Sequence, residues 1–91
     1  MQNYDLQAKF DSRNSFYGKA RVEESDDQLT LTSYSTKVAK IFCASDGEPL
    51  EAEVYGTYSQ TTLRHIKEFL KQHGFKAENS KQIMADYGTN N

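Results

Sequence analysis

Tryptophan is absent from this 91-residue chain, cysteine occurs once, and no apolar run approaches the roughly 18 residues that a membrane-spanning helix needs. The lone Cys43 has no partner for an internal disulfide, and no charged leader followed by an apolar run opens the sequence. The expected setting is therefore the reducing cytoplasm of its cell, with no membrane partner and a soluble protein complete in itself. Signatures of chemistry are missing too. There is no CxxC, HExxH or DxDxDG spacing, no glycine-rich phosphate loop and no nucleophile elbow. No catalytic residue, metal ligand or cofactor site is nominated, and the chain is read as a non-enzyme. Strands do not alternate with helices, so a parallel sheet is not expected either.

What is present is enough for one folded domain spanning residues 1–91. Apolar residues make up 36%, with six Tyr and five Phe, too aromatic for a disordered tail. A chain of this size buries roughly 60 to 65% of its unfolded surface, so the core is thin. The net charge of −2 is unevenly spread. Residues 1–60 hold six Lys/Arg against ten Asp/Glu, whereas residues 61–81 hold five against two, so the two parts suit different partners.

Tyr4, Leu6, Ala8 and Phe10 alternate with polar residues, the period of a strand with one buried face. DSRNS (11–15) reads as a turn, and Phe16, Gly18, Ala20 and Val22 repeat the alternation in a second strand with Gly18 at a bulge or close crossing. After the loop ESDDQ (24–28), the β-prone stretch from Leu29 to Cys43 is long enough for two strands hinged near SYST (33–36). Asp46-Gly47 signals a tight hairpin, and beyond Pro49 a last strand turns Leu50, Ala52 and Val54 one way and Glu51, Glu53 and Tyr55 the other. Four or five strands thus occupy about residues 3–55.

TYSQTTLRHIKEFLKQHGFKA (57–77) is the most strongly patterned segment. Ser59 is a good N-cap, with Tyr58 and Leu63 placed as a hydrophobic staple. At 100° per residue Thr62, Leu63, Ile66, Phe69, Leu70 and His73 share one arc, and Gln60, Thr61, Arg64, Glu68 and Gln72 lie outside it. Gly74 and Phe75 suit a Schellman closure, which gives a helix over about 59–73. A second helix is expected over 80–87, capped by Asn79 with Gln82 three residues on, burying Ile83 and Met84. The predicted fold is α+β: an antiparallel sheet of four to five strands, one main helix packed on one face, and a short C-terminal helix.

Three sets of residues compete for function. Arg64, Lys67 and Lys71 form a stripe at i, i+3 and i+7 that, with Lys76 and Lys81, can follow a phosphate backbone. The plainer account of the stripe is dipole complementation and a solvated helix face, with Arg64 pairing Glu68, and it is preferred. A helix-turn-helix is disfavoured, because Leu70 stands where that motif wants a small residue and the connection from Gly74 to Asn79 is long. Among titratable groups, His65 and Glu68 lie one turn apart, but two ligands do not make a metal site. Cys43 reads as a small boundary residue and His73 as a structural imidazole. The last set is acidic and aromatic. Tyr17, Tyr34, Tyr55 and Tyr58 lie on or beside outer strand faces with Lys19, Arg21, Lys37 and Lys40, a possible stacking platform for single strands. Glu23, Glu51 and Glu53 on the same side repel phosphate. Glu23, Glu24, Asp26, Asp27, Glu51 and Glu53 with Tyr34 and Tyr55 therefore better suit a basic protein surface. An uncovered face or free edge also permits a homodimer.

SFYGKA (15–20), LTSYSTKVAKI (31–41) and TTLRHIKEFLKQ (61–72), about half the chain, resemble a group of short phage and prophage proteins of Gram-positive bacteria that form a domain of unknown function. The resemblance implies a mobile-element origin. Accessory and counter-defence factors, among them anti-CRISPR inhibitors, are common in that setting. The leading expectation is a non-enzymatic phage protein that inhibits a host RNA-guided nuclease by protein contact. A small nucleic-acid binder using the basic stripe is the alternative.

Overall fold

Alternating apolar and polar residues build five strands in the computed structural model, which describes residues 2–10, 16 and 18–89. Strands β1 (Gln2–Asp5), β2 (Ala20–Glu24), β3 (Gln28–Ser33), β4 (Thr36–Cys43) and β5 (Pro49–Val54) pair antiparallel in chain order, and helices α1 (Gln60–Gln72) and α2 (Ser80–Tyr87) follow. This is the predicted α+β fold: a five-stranded antiparallel sheet with two helices packed against it.

Strand register explains which side chains share the core. Tyr4, Val22, Leu31, Ala39 and Val54 form one row across the sheet, and Glu24, Leu29, Ile41 and Ala52 the next. Ile66, Phe69 and Leu70 of α1 and Ile83 of α2 close over the apolar part of these rows, all fully buried. Each such side chain stabilises the fold by about 1.5–3 kcal/mol. Between β3 and β4 the register shifts, so Val38 has no partner across the ladder, and this bulged residue is buried as well.

The helix punctuation forms as the sequence implies. The Ser59 side chain accepts the Thr62 N–H at 3.2 Å. At the other end Gly74 (φ 83) lets its N–H reach the Lys71 carbonyl at 3.2 Å while Phe75 N–H reaches Leu70 at 2.9 Å, a Schellman closure. Asn79 Oδ1 accepts the Gln82 N–H at 2.8 Å, and Gln82 Oε1 returns to the Glu78 N–H at 2.6 Å. Thr89 N–H donates to Val54 at 3.2 Å, which ties the end of the described chain to the β5 edge.

Four features depart from the sequence prediction. The first strand ends at Asp5 rather than Phe10: Leu6 N–H still donates to Ala20, at 2.8 Å, but the chain then leaves the sheet and runs over one flank of α1. There Gln72 donates to the Gln7 carbonyl at 2.6 Å and Phe10 N–H donates to Glu68 at 2.8 Å. The second strand begins at Ala20, after a turn in which Gly18 takes φ 73, instead of at Phe16. Tyr17 and the predicted turn at 11–15 lie outside the described residues. Glu68, placed on the solvent side by helical periodicity, is only 1% exposed, because the crossing segment covers it. Tyr58, finally, lies with its ring over Gly56 and is 66% exposed, so it is not tucked into the core as a staple would be.

Candidate functional site

The meander gathers acidic residues that are far apart in sequence. Because β2 to β5 run antiparallel, the β2–β3 turn and the β4–β5 turn emerge at the same end of the sheet, and Cys43 N–H donates to the Asp27 carbonyl at 2.8 Å to hold them together. Each turn is internally fixed. Ser25 N–H reaches Gln28 at 3.0 Å in one, and in the other Gly47 N–H reaches Ala44 at 2.9 Å while Asp46 Oδ1 accepts the Glu48 N–H at 3.0 Å. Asp-Gly delivers this tip locally, since Gly47 sits at φ 89, where a side chain is strained.

Between the turns and the end of α1 lies an open depression of about 500 Å³, lined by Tyr4, Glu24, Asp26, Cys43, Asp46 and His73 together with polar turn residues and Leu29. Among the described residues no Lys or Arg lines it. The carbonyl end of α1 adds the negative end of the helix dipole to the carboxylates. His73 Nδ1 donates to the Phe69 carbonyl at 2.8 Å, since a carbonyl only accepts, which fixes the ring against α1. Burial raises the Cys43 thiol above its ordinary value, and Glu24 and Asp27 push it further the same way. Cys43 therefore stays protonated at neutral pH, the opposite of an activated thiolate. Tyr4 is raised as well, by burial and then by Glu24. The depression suits the capture of cationic groups.

The predicted acidic set is split by the fold. Glu24, Asp26 and Asp27 belong to this end, joined by Asp46 and Glu48, which spacing along the sequence does not group with them. Glu23, Glu51 and Glu53 instead lie on the face of the sheet away from α1, where Glu53 stands directly opposite Lys40 and Glu23 is one strand removed from it across Thr30. Arg21 and Lys37 share that face, and Arg21 pairs with Asp5 at 3.7 Å, so it is a mixed-charge surface. Tyr34 occupies the β3–β4 turn at the opposite end of the sheet, and Tyr55 follows β5, where burial and then Glu53 raise its hydroxyl. Strand register decides these groupings, and spacing within one strand carries no such information.

The basic residues are dispersed. Arg64, Lys67 and Lys71 follow the outer flank of α1, Lys81 lies on α2, and Lys76 pairs with Glu78 at 3.6 Å. His65 and Glu68 face different partners. His65 Nδ1 lies 2.8 Å from Ser33 Oγ under an edge-on Phe16 ring, whereas the two Glu68 oxygens accept from Phe10 N–H and from Gln72, the latter at 2.6 Å. Among the described residues no three His, Cys, Asp or Glu side chains come together as metal ligands, and no helix is long and apolar enough to cross a membrane.

A protein-family comparison matches residues 4–86, from β1 to the last turn of α2, with the model of DUF8033, a family of unknown function. The chain belongs to this family. The matched span takes in nearly all of the sheet, α1, most of α2 and the residues that line the acidic depression. Neither the curated proteins nor the solved structures give a match.

Proposed function

We propose that this DUF8033 protein is a non-enzymatic binding module that covers a basic protein surface with its acidic hairpin end. The observation that carries the reading is the depression itself: three carboxylates and a helix carbonyl terminus surround a concave seat to which, among the described residues, no Lys or Arg contributes. A lysine or arginine from a partner fits there between carboxylates and the Tyr4 ring, gaining charge-assisted hydrogen bonds and contact with an aromatic side chain. Surrounding carboxylates steer such a partner and reject acidic ones. Inhibition of a nucleic-acid-handling host protein, such as an RNA-guided nuclease with a basic groove, is the specific form of this activity that the phage resemblance suggests.

The test compares the wild-type chain with the double variant Asp26→Lys/Asp46→Lys as bait in a nuclease-treated Gram-positive lysate. Both positions are exposed; Asp46→Lys gives up the turn hydrogen bond from Glu48 N–H, so a cooperative melting transition is required of the variant before the baits are compared. The wild type should retain a basic protein in near-equal amount and the variant should lose it. Equal retention by both folded baits contradicts the reading.

A further inference from the structure

At the opposite end of the molecule two tyrosines, one tilted against His65 and one lying over Gly56, remain largely exposed. Tyr34 (φ 60) and Tyr58 (φ 51) both occupy the left-handed backbone region, which a bulky residue rarely adopts, yet their side chains are 55% and 66% exposed. Glycine or asparagine would make either turn with less strain. The two turns that carry them are tied to one hydroxyl of α1. Thr62 Oγ1 lies 3.1 Å from Ser33 Oγ and accepts from Ser59 Oγ at 3.2 Å, and these serines adjoin Tyr34 and Tyr58 in sequence.

Among the described residues the surroundings set three cations, Lys19, Arg21 and Lys37, against two carboxylates, Asp5 and Glu23. Tyr34 N–H donates to the Lys19 carbonyl at 2.7 Å, which sets Lys19 beside it, and Lys37 lies just beyond the same turn; both lysines are exposed. The first turn of α1 carries no acidic side chain. Tyr34 also walls a shallow hollow of about 280 Å³ on the helix-free face, with Asn3, Arg21, Glu23 and Thr32 around it. Asp5 at this end is already paired with Arg21.

From these observations we infer that this end binds single-stranded nucleic acid, with bases stacked on Tyr34 and Tyr58 and phosphates on Lys19 and Lys37. Stacking platforms interleaved with cations are what sequence-tolerant single-strand binding needs. The hollow beside Tyr34 offers donors from Arg21 and Asn3 and an acceptor from Glu23 for the edge of an unstacked base. A protein partner is the poorer fit. A stable protein interface buries about 800 Å² per partner around an apolar centre, whereas among the described residues the other exposed large apolar side chains, Tyr4, Phe10 and Leu50, lie on other elements. This surface is separate from the acidic depression, and either reading can fail alone.

The test is fluorescence anisotropy of the full chain with labelled oligo-dT of about 12 nucleotides, the matching duplex, and poly-glutamate as an acidic protein mimic. The single strand should bind more tightly than the duplex. Tyr34→Asn and Tyr58→Gly should each lower that affinity about tenfold while melting at or above the wild-type temperature, a combination that loss of structure cannot produce. Lys19→Gln/Lys37→Gln, which alters only exposed side chains, should flatten the dependence of log affinity on log salt by about 0.7 per lysine. Absence of single-strand binding at low salt, wild-type affinity in the tyrosine variants, or preference for poly-glutamate each overturns the inference.

Discussion

At its N-terminal end α1 is laced to the sheet through Ser59, Thr62, Ser33 and His65, while at its C-terminal end His73 borders an open, acid-rimmed depression. The contrast follows from which strand ends meet the helix. Ser33, 2% exposed at the end of β3, supplies a hydroxyl where α1 begins, and the polar groups there satisfy one another in a buried chain. Where α1 ends, the sheet offers two exposed turns carrying carboxylates, and nothing among the described residues fills the space between them. The first end serves stability and holds two tyrosines in strained positions. The second is open, and it is there that we propose a partner binds.

The comparison is sharpest in stability measurements. Ser33→Ala deprives Thr62 and His65 of a shared buried partner and should cost about 1–3 kcal/mol, read as a lowered denaturation midpoint. Asp26→Asn combined with Asp46→Asn at the open end should change stability by no more than about 0.5 kcal/mol. A larger loss at the open end than at the closed one would erase the distinction.

A smaller effect tests the electrostatics of the depression. The Cys43 thiol is raised by burial first and by Glu24 and Asp27 next, so alkylation by iodoacetamide should reach half its maximal rate at a higher pH than a free thiol does, and Glu24→Gln should lower that midpoint. The sign carries over to stability. The folded thiol holds its proton more tightly than the unfolded one, so its contribution is present below the unfolded value and is lost as pH rises through the folded value. A midpoint at or below that of a free thiol would show that the carboxylates do not act on this site.

Much of the fold was legible in sequence because the deciding signals are local. Ser59, Gly74 and Phe75 punctuate α1, Asn79 and Gln82 cap α2, and Asp46-Gly47 turns β4 into β5. The crossing segment was not legible. The alternation of Leu6, Ala8 and Phe10 fits an extended chain that leaves the sheet as well as one that stays in it, and Leu6 is buried in either case. The burial of Glu68 and His65 followed from that crossing and from Phe16, contacts far away in sequence. The acidic site was half visible. Glu24, Asp26 and Asp27 were singled out by charge, but Asp46 and His73 join them only through antiparallel pairing and the length of α1, and pairing likewise sets Glu53 against Lys40. Strained φ values at Tyr34 and Tyr58 leave no mark in a sequence at all.

Hydrogen exchange on the complex with the captured basic partner tests the central claim most directly. New protection should be concentrated in the β2–β3 turn at residues 25–27 and the β4–β5 turn at residues 44–48, with the edge of β1 near Tyr4 following. Protection centred instead on the helix-free face, around Lys40, Glu51 and Glu53, with the two turns unchanged, would contradict it.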